Sequence, residues 1–273
     1  MKRLAVATAL AATAVLSTGG GHAQAATAPD PVKSMKKQFV AGRGVLVSET
    51  TRSTISGTKG AAVARTTGTI GFVKSGTANH DLTTRWKPQP DMTLPVNTAS
   101  TRAIKVGRFT YVSGFGWGEM PAGAKWIRFG KDNSSWGSMG QRGDQLVDVF
   151  NPAVLKNALA KATIAKPGEY RGTLTAKDLY GESGVYEVDK VSFRLFVNRD
   201  QLPVRLITEH REKDTLIPNE DHKLVRRTVH SLVDTRYTGW GTKVKIVAPP
   251  AHEAVDFDDL PGPLAPEPWI GNP

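Results

Sequence analysis

The segment 191–210 alternates between apolar and polar residues with a period of two, which is the pattern of a strand with one buried face. Its first half reads V-S-F-R-L-F-V-N, with Phe196 as the exception, and its second half reads V-R-L-I-T-E-H. A polar turn at 198–201 separates the halves, and Pro203 stands near the start of the second, where a missing N–H is tolerated. The pattern predicts an antiparallel hairpin with one dry face and one charged face.

Similar patterns along the rest of the chain predict a mainly β fold built on a long antiparallel sheet. Strands are expected at 44–55, 62–74, 81–86, 100–104, 108–113, 125–129, 170–179, 187–197, 204–212, 223–237 and 243–247. A glycine-rich loop is expected at 114–123.

Two short amphipathic helices interrupt the strands. Asp30-Pro31 and Asn151-Pro152 each supply an N-cap residue followed by proline at the first helical position. Apolar residues recur at helical spacing over 31–40 and over 152–163. Two such helices are too few to cover one face of a sheet of about ten strands, and the dry face of a sheet must be covered. The sequence therefore leaves room for a cavity between sheet and helices.

Apolar residues of the strands and of the second helix are the candidates for lining that cavity. They are Val45, Val47, Ile70, Phe72, Tyr111, Leu155, Leu159, Phe193, Leu195, Val197, Val204 and Leu206. The alternative interpretation is that these side chains pack against one another as an ordinary core, as apolar strand faces usually do.

The first 25 residues have the layout of a cleaved signal peptide. Lys2 and Arg3 precede an apolar run at 4–16, and Ala23-Gln24-Ala25 fits the small-x-small cleavage rule. The apolar run is shorter than the ~20 residues that a membrane-spanning helix needs. We therefore expect a signal peptide at 1–25, one domain at 26–249 and a secreted protein associated with the cell envelope.

Composition narrows the class of protein further. The chain has no cysteine, which excludes a disulfide framework, a thiolate metal site and a cysteine nucleophile. The net charge is +11, and it rises to +14 for 26–249 when the two basic residues before it and the five acidic residues after it are set aside. This charge favours polyanionic neighbours such as an anionic membrane surface or a cell-wall polymer, rather than nucleic acid in an exported protein. The acidic, proline-rich stretch 250–273 is predicted to be a flexible tail.

The motifs of enzymes are absent or lie in the wrong context. Ser56 and Lys59 match S-x-x-K, and 74–76 matches K-[ST]-G, but they are too close together and the first lies in a glycine turn. The glycines of 114–118 do not form G-x-G-x-x-G, and the histidines lack metal-ligand spacing. The sequence predicts a non-enzymatic monomer with no cofactor, no metal and no catalytic residue.

Several local motifs, in their order along the chain, resemble the LolA/LppX-type lipid-carrier fold, and specifically the actinobacterial LppX/LprG branch. They are G-R-G-V-L-V-S-E-T (42–50), T-R-A-I-K-V-G-R-F-T-Y-V (101–112), G-A-K-W-I-R-F (123–129), N-P-A-V-L-K-N-A-L (151–159), F-R-L-F-V-N-R-D-Q-L-P-V-R-L (193–206) and Y-T-G-W-G-T-K-V-K-I-V-A-P-P (237–250). In the fifth motif, Gln201 stands where the family usually has glycine.

The resemblance implies a sheet curved into a half-barrel, with two or three short helices against its concave face. It also implies a lipid or other amphiphile bound between sheet and helices, and movement of that ligand within the envelope. The chain departs from this branch because it lacks the lipobox cysteine at the signal cleavage site. Two other functions stay open on the same fold: a sensing or regulatory module with a filled core, and a protein that binds cell-wall polyanions.

Overall fold

The computed structural model describes residues 30–87, 100–114, 120–130, 143–180, 188–218 and 223–260, which form one curved sheet of twelve strands. The strands are β1 (Arg43–Ile55), β2 (Ala62–Val73), β3 (Gly76–Lys87), β4 (Thr101–Val106), β5 (Phe109–Ser113), β6 (Trp126–Phe129), β7 (Thr163–Lys166), β8 (Glu169–Thr175), β9 (Val188–Val197), β10 (Pro203–Pro218), β11 (Leu224–Lys243) and β12 (Ala254–Asp256). Their order in the sheet is β12-β6-β5-β4-β3-β2-β1-β11-β10-β9-β8-β7.

The sheet consists of two antiparallel meanders joined at its centre. The strands β1–β6 pair in chain order, and so do β7–β11. The first strand, β1, pairs with β2 on one side and with β11 on the other. Buried and exposed residues alternate along most of β1, so one face of the sheet is covered and the other is open to solvent. The predicted mainly β fold with a long antiparallel sheet is confirmed.

Three short helices lie on the covered face, which we call the inner face. They are α1 (Pro31–Lys37), α2 (Pro152–Ala160) and α3 (Ala176–Tyr180). The predicted caps are confirmed, since Asp30 Oδ1 accepts a hydrogen bond from Val32 N at 2.8 Å and Asn151 Oδ1 accepts one from Ala153 N at 3.0 Å. Both helices end earlier than their apolar spacing predicts.

Several predicted strands differ from the structure, and β3, β10 and β11 are each longer than predicted. The predicted strand 170–179 ends at Thr175, because Asp178 Oδ2 accepts a hydrogen bond from Thr175 N at 2.8 Å and the chain turns into α3. The predicted strand 243–247 is wrong, since β11 continues to Lys243 and residues 244–250 have no regular secondary structure. The strand β7 was not predicted, because all four of its residues are exposed and give no alternation.

The main core fills the space between the inner face and the helices. Its buried residues are Met35, Phe39, Val45, Val47, Ile70, Phe72, Leu82, Val147, Val149, Phe150, Val154, Leu155, Ala158, Leu174, Val188, Val191, Phe193, Leu195, Leu206 and Tyr237. Three of them, Val147, Val149 and Phe150, belong to a non-repetitive stretch just before α2. This stretch therefore lies inside the fold rather than on its surface.

Residues 244–260 form a belt that begins over the outer face of the sheet and ends at β6, where Phe257 and Leu260 pack on residues of the inner face. Val244 and Ile246 lie over the outer face at Gly44 and Gly71, where a Cβ on Gly71 would be only 3.3 Å from Ile246 Cδ1. Further along, β12 pairs in parallel with β6, the last strand of the first meander, and so becomes the edge strand of the sheet.

Charge and apolar contacts both fix the end of this belt. Glu253 accepts a hydrogen bond from Lys125 Nζ at 2.5 Å, and Asp256 forms a bidentate ion pair with Arg128. Phe257 packs on Phe129 with ring centroids 5.0 Å apart. The prediction of a flexible tail is thus wrong for 251–260, because strand pairing and the acidic residues bind this stretch to a basic sheet edge.

Some predictions lie outside the described residues. They are the signal peptide at 1–25, the end of the tail at 261–273, and residues 115–119 of the predicted loop at 114–123. Among the described residues no helix is long and apolar enough to cross a membrane.

Candidate functional site

A cavity of about 770 Å³ lies between the inner face of the sheet and the stretch 145–151. We call it the inner cavity. The sheet contributes residues from β1, β2, β3, β4 and β11, and the helices contribute Val154 and Leu179. Its lining residues are Val47, Ile70, Val73, Ser75, Thr77, Asn79, His80, Lys105, Gly107, Gln145, Leu146, Val147, Asp148, Val149, Phe150, Asn151, Val154, Leu179 and Tyr237.

One wall of the inner cavity is apolar and rests on a cluster of aromatic rings. Phe150 packs edge-on against Tyr237, with ring centroids 5.4 Å apart, and lies 5.8 Å from the ring centroid of Trp240. Phe72 stacks on Trp240 at 5.8 Å. Aromatic contacts of this kind contribute about 0.5–1.5 kcal/mol beyond the area that they bury. The cluster therefore fixes the shape of this wall.

The opposite wall is polar. The turn between β2 and β3 and the strand β3 contribute Ser75, Thr77, Asn79 and His80, and β4 contributes Lys105. His80 and Lys105 face each other across β3 and β4 in the sheet register. No acidic side chain in the described ranges forms an ion pair with Lys105. The inner cavity thus has an apolar wall and a polar wall that carries the cation of Lys105, while Asp148 in the covering stretch places one carboxylate on the same cavity.

Hydrogen bonds from the sheet hold the stretch 143–150 in place. Gln145 Nε2 donates to the carbonyl oxygens of Leu206 and Val233, at 3.2 and 3.4 Å, and Thr208 Oγ1 donates to Gln145 Oε1 at 2.9 Å. Glu49 Oε1 accepts a hydrogen bond from Asp144 N at 2.7 Å. These bonds replace the backbone pairing that a non-repetitive segment lacks when it is buried.

Glu49 is the most unusual of these groups, because a carboxyl group is rarely fully buried. Its side chain lies on the inner face of β1 and accepts a second hydrogen bond, from Thr235 Oγ1 at 2.6 Å. Burial and, to a smaller extent, the charge of Asp144 raise the pKa of Glu49 to about 8, against the opposing effect of the two hydrogen bonds. The neutral form of Glu49 is thus favoured at neutral pH.

Other titratable groups share this part of the inner face. Asp144 keeps accessible surface, yet the surrounding protein desolvates its carboxylate and raises its pKa. His210 is buried, and its Nε2 lies 3.2 Å from Glu212 Oε1. In the part of the chain that the structure describes, no group of three or more histidine, aspartate or glutamate side chains is placed to hold a metal ion.

The structure separates the twelve residues that the sequence proposes for the cavity lining. Two of them, Val47 and Ile70, line the inner cavity. The main core contains six more, which pack together and do not line it: Val45, Phe72, Leu155, Phe193, Leu195 and Leu206. Leu159 and Val197 are partly buried and pack against this core. Most of the candidates thus have the core role that was the alternative interpretation.

The last two candidates lie elsewhere. Tyr111 lies on the outer face, because its register with Ile104 places it beside Trp126, under the belt residue Ile246. Val204 lines a second groove of about 800 Å³, at the end of the sheet near α1, together with Trp240.

Sequence reasoning missed the stretch 145–151, which supplies most of one wall. It has no hydrophobic period, so only its position before a helix was visible. A signal for Glu49 did exist. In G-V-L-V-S-E-T, Glu49 follows Val45 and Val47 at intervals of two residues. Because side chains in a strand alternate between the two faces, its carboxyl group lies on the same buried face as these valines.

Comparison with known proteins returns no matching family model and no matching curated protein. Among solved structures, a LolA superfamily protein from Nitrosomonas europaea is 15% identical, with 77% of this chain and 90% of that chain covered at a TM-score of 0.30. LprF from Mycobacterium bovis is 14% identical, with 81% and 99% covered at a TM-score of 0.36. A putative outer membrane lipoprotein-sorting protein domain from Vibrio parahaemolyticus is 8% identical, with 77% and 89% covered at a TM-score of 0.27.

Proposed function

We propose that the chain is an exported, non-enzymatic binding protein that holds a lipid or another amphiphile in the inner cavity. The observation that carries this proposal is the division of the cavity into an apolar wall, built around Phe150 and Tyr237, and a polar wall that contains Lys105. An amphiphile has the same two parts. Its apolar part lies against the aromatic cluster, and its polar part lies near the β2–β3 turn.

The size of the inner cavity supports this function. Sites for small-molecule ligands measure about 300–1,000 Å³ and combine apolar walls with a few placed polar groups. Each CH₂ group that leaves water for such a wall contributes roughly 0.8 kcal/mol. An acyl chain therefore binds through the burial of its apolar surface alone, and the polar wall selects the headgroup.

The charge of the polar wall indicates an anionic headgroup. The ammonium group of Lys105 has no carboxylate partner in the described ranges, so it is available for a carboxylate or phosphate oxygen. Hydrogen bonds to charged groups contribute about 1.5–3 kcal/mol. The expected ligands are fatty acids and anionic lipids rather than neutral alkanes or sterols.

Native mass spectrometry tests the proposal. The mature protein is purified from an exporting host without detergent and measured before and after organic extraction. We expect adducts of lipid mass that disappear on extraction. A single apo mass, together with no uptake of added phospholipid or fluorescent fatty acid, would show that the inner cavity does not hold amphiphiles.

A pair of variants tests the role of the polar wall. Lys105→Gln should weaken binding of a fatty acid at least about tenfold, in line with the loss of one charged hydrogen bond, and should leave binding of the fatty alcohol of equal length unchanged. Lys156→Gln removes the same charge from the exposed side of α2 and is the matched control. Equal loss in both variants would assign the effect to net charge and remove Lys105 from the site.

A further inference from the structure

The outer face of β1, β2 and β3 carries four exposed basic side chains. They are Arg52, Arg65, Arg85 and Lys87, and we call them the outer basic patch. Their neighbours along each strand point inward, since Thr51, Ala64 and Thr66 are buried. The patch therefore lies on the side of the sheet opposite the inner cavity.

Strand register brings these charges together. Arg65 lies directly opposite Arg85 in the β2–β3 pair. Val63 lies opposite Arg52 on one side and opposite Lys87 on the other. Because neighbouring strands are about 4.8 Å apart, the four side chains start from an area about 10 Å across. Like charges placed directly opposite each other destabilise a sheet. The repulsion between these like charges therefore lowers the stability of the fold, and an anionic partner would remove this repulsion.

The nearest carboxylates on the outer face are already engaged. Asp234 lies opposite Thr50 and is bound by Arg205 at 2.7 Å. Asp81 is bound by Arg102 at 2.6 Å. Within the described ranges no ion pair involves a residue of the outer basic patch. Its positive charge is therefore not neutralised by this part of the chain.

Exposed leucines accompany the patch on the same face. Leu232 lies directly opposite Arg52 and is 41% exposed. Leu216 and Leu224, toward the end of the β10–β11 hairpin, are 45% and 60% exposed. Leu216 is opposite Arg226 and has its inward neighbour Ile217 buried, so it too points outward. Cations and large apolar side chains thus share one surface.

We propose that this outer face docks on an anionic lipid bilayer. Basic side chains are attracted to the negative surface of such a membrane, and apolar side chains gain free energy by entering the headgroup region. A soluble polyanion would engage the cations but would gain nothing from Leu216, Leu224 and Leu232. Docking through the outer face leaves the inner cavity free, so this inference goes beyond amphiphile binding and does not depend on it.

Vesicle co-sedimentation of the full chain tests the docking surface. The vesicles contain phosphatidylglycerol and phosphatidylcholine in equal parts, or phosphatidylcholine alone. Each basic residue near an anionic surface contributes about fivefold to the partition coefficient, so Arg65→Gln/Arg85→Gln should weaken binding to the anionic vesicles by at least tenfold. Lys33→Gln/Lys156→Gln, which removes two exposed charges from α1 and α2, should change it less than twofold.

A second variant separates docking from folding. Arg65→Glu converts the like-charge pair with Arg85 into an opposite-charge pair, so it should fold at least as well as the wild type and still lose vesicle binding. Leu224→Ser should reduce the part of the binding that resists high salt. Unchanged binding of the Arg65→Gln/Arg85→Gln variant, or equal loss in the α1/α2 control, would overturn the proposal. Binding to soluble polyphosphate without binding to vesicles would also overturn it and assign the patch to a polymer.

Discussion

The backbone N–H of Asp144 donates a hydrogen bond of 2.7 Å to the carboxyl group of Glu49, whose side chain is buried on the inner face of β1. The two residues are far apart in the sequence, and this bond fixes the stretch 143–150 against the sheet. Because that stretch forms one wall of the inner cavity, the shape of the cavity depends on a titratable group that does not line it.

The first prediction concerns pH. The folded-state pKa of Glu49 is raised to about 8 from an ordinary value of 4.5. Folding therefore takes up a proton between these values, so stability is highest below about pH 4.5 for this group and falls as pH rises toward 8. We expect the melting temperature to fall between pH 5 and 9 in the wild type and to change much less in Glu49→Gln.

The glutamine of that variant keeps the shape and can still accept from Asp144 N and donate to Thr235. Thermal unfolding followed by circular dichroism at several pH values gives the comparison. A wild-type curve that rises from pH 5 to 9 through this group would contradict the assignment of a neutral Glu49.

The second prediction concerns Gly143, which has φ +82° and lies against the Glu49 carboxyl. A Cβ at this position would be 2.3 Å from Glu49 Oε1. Gly143→Ala should therefore destabilise the fold by about 1–3 kcal/mol through backbone strain and displacement of the carboxyl. Gly123 has the same φ but open space around its Cβ position, so Gly123→Ala measures the strain alone. Urea unfolding should show the larger loss for Gly143→Ala, and equal losses would remove the contact with Glu49 from the explanation.

The third prediction concerns the turn between β9 and β10. Gln201 has φ +60°, a left-handed conformation that costs a residue with a Cβ about 1–2 kcal/mol. Asn198 holds the turn by accepting a hydrogen bond from Leu202 N at 2.9 Å. Gln201→Gly should raise the free energy of unfolding by up to about 1 kcal/mol, since glycine also gains freedom in the unfolded chain. Denaturant unfolding checks this, with Asp200→Gly in the same turn expected to give no gain.

The fourth prediction concerns the belt. Phe257 packs against Phe129, with the two ring planes tilted by 31°, and holds β12 beside β6. Phe257→Ala should free this edge locally, so the amide hydrogens of 126–129 should exchange faster while those of β1 and β11 stay protected. Asp259→Asn, an exposed change two residues away, is the control. Unchanged exchange at β6 would show that the backbone pairing alone holds the belt.

The sequence predicts the fold better than the site, for a physical reason. Strands and caps depend on local signals, such as the alternation in 191–197 and the Asn-Pro pair before α2, and these are confirmed. The cavity depends on how a stretch without periodicity, 145–151, folds back over β1 and β2. Core and cavity residues also share one apolar pattern, so Phe193 and Val47 cannot be told apart until the register and the covering segment are known.

The lack of a local signal also explains why the sequence did not predict the belt. Residues 250–260 belong to the stretch 250–273, whose acidic and proline-rich composition is that of a solvated tail. Their partners, Lys125 and Arg128, lie more than 100 residues earlier in the chain, where no local pattern connects them to the tail.

The central pairing of β1 with β11 has a consequence for when the protein can fold. Arg43 lies opposite Lys243, so the first strand waits for a partner about 200 residues away. Closing so large a loop costs conformational entropy before the strand contacts form, and this slows folding. The edge of β1 that pairs with β11 stays unpaired until β11 is available. A chain that emerges from a membrane or a ribosome with its N-terminus first therefore cannot complete its sheet until nearly all of it has emerged. A cell that makes this protein needs to keep the first meander from aggregating during that interval.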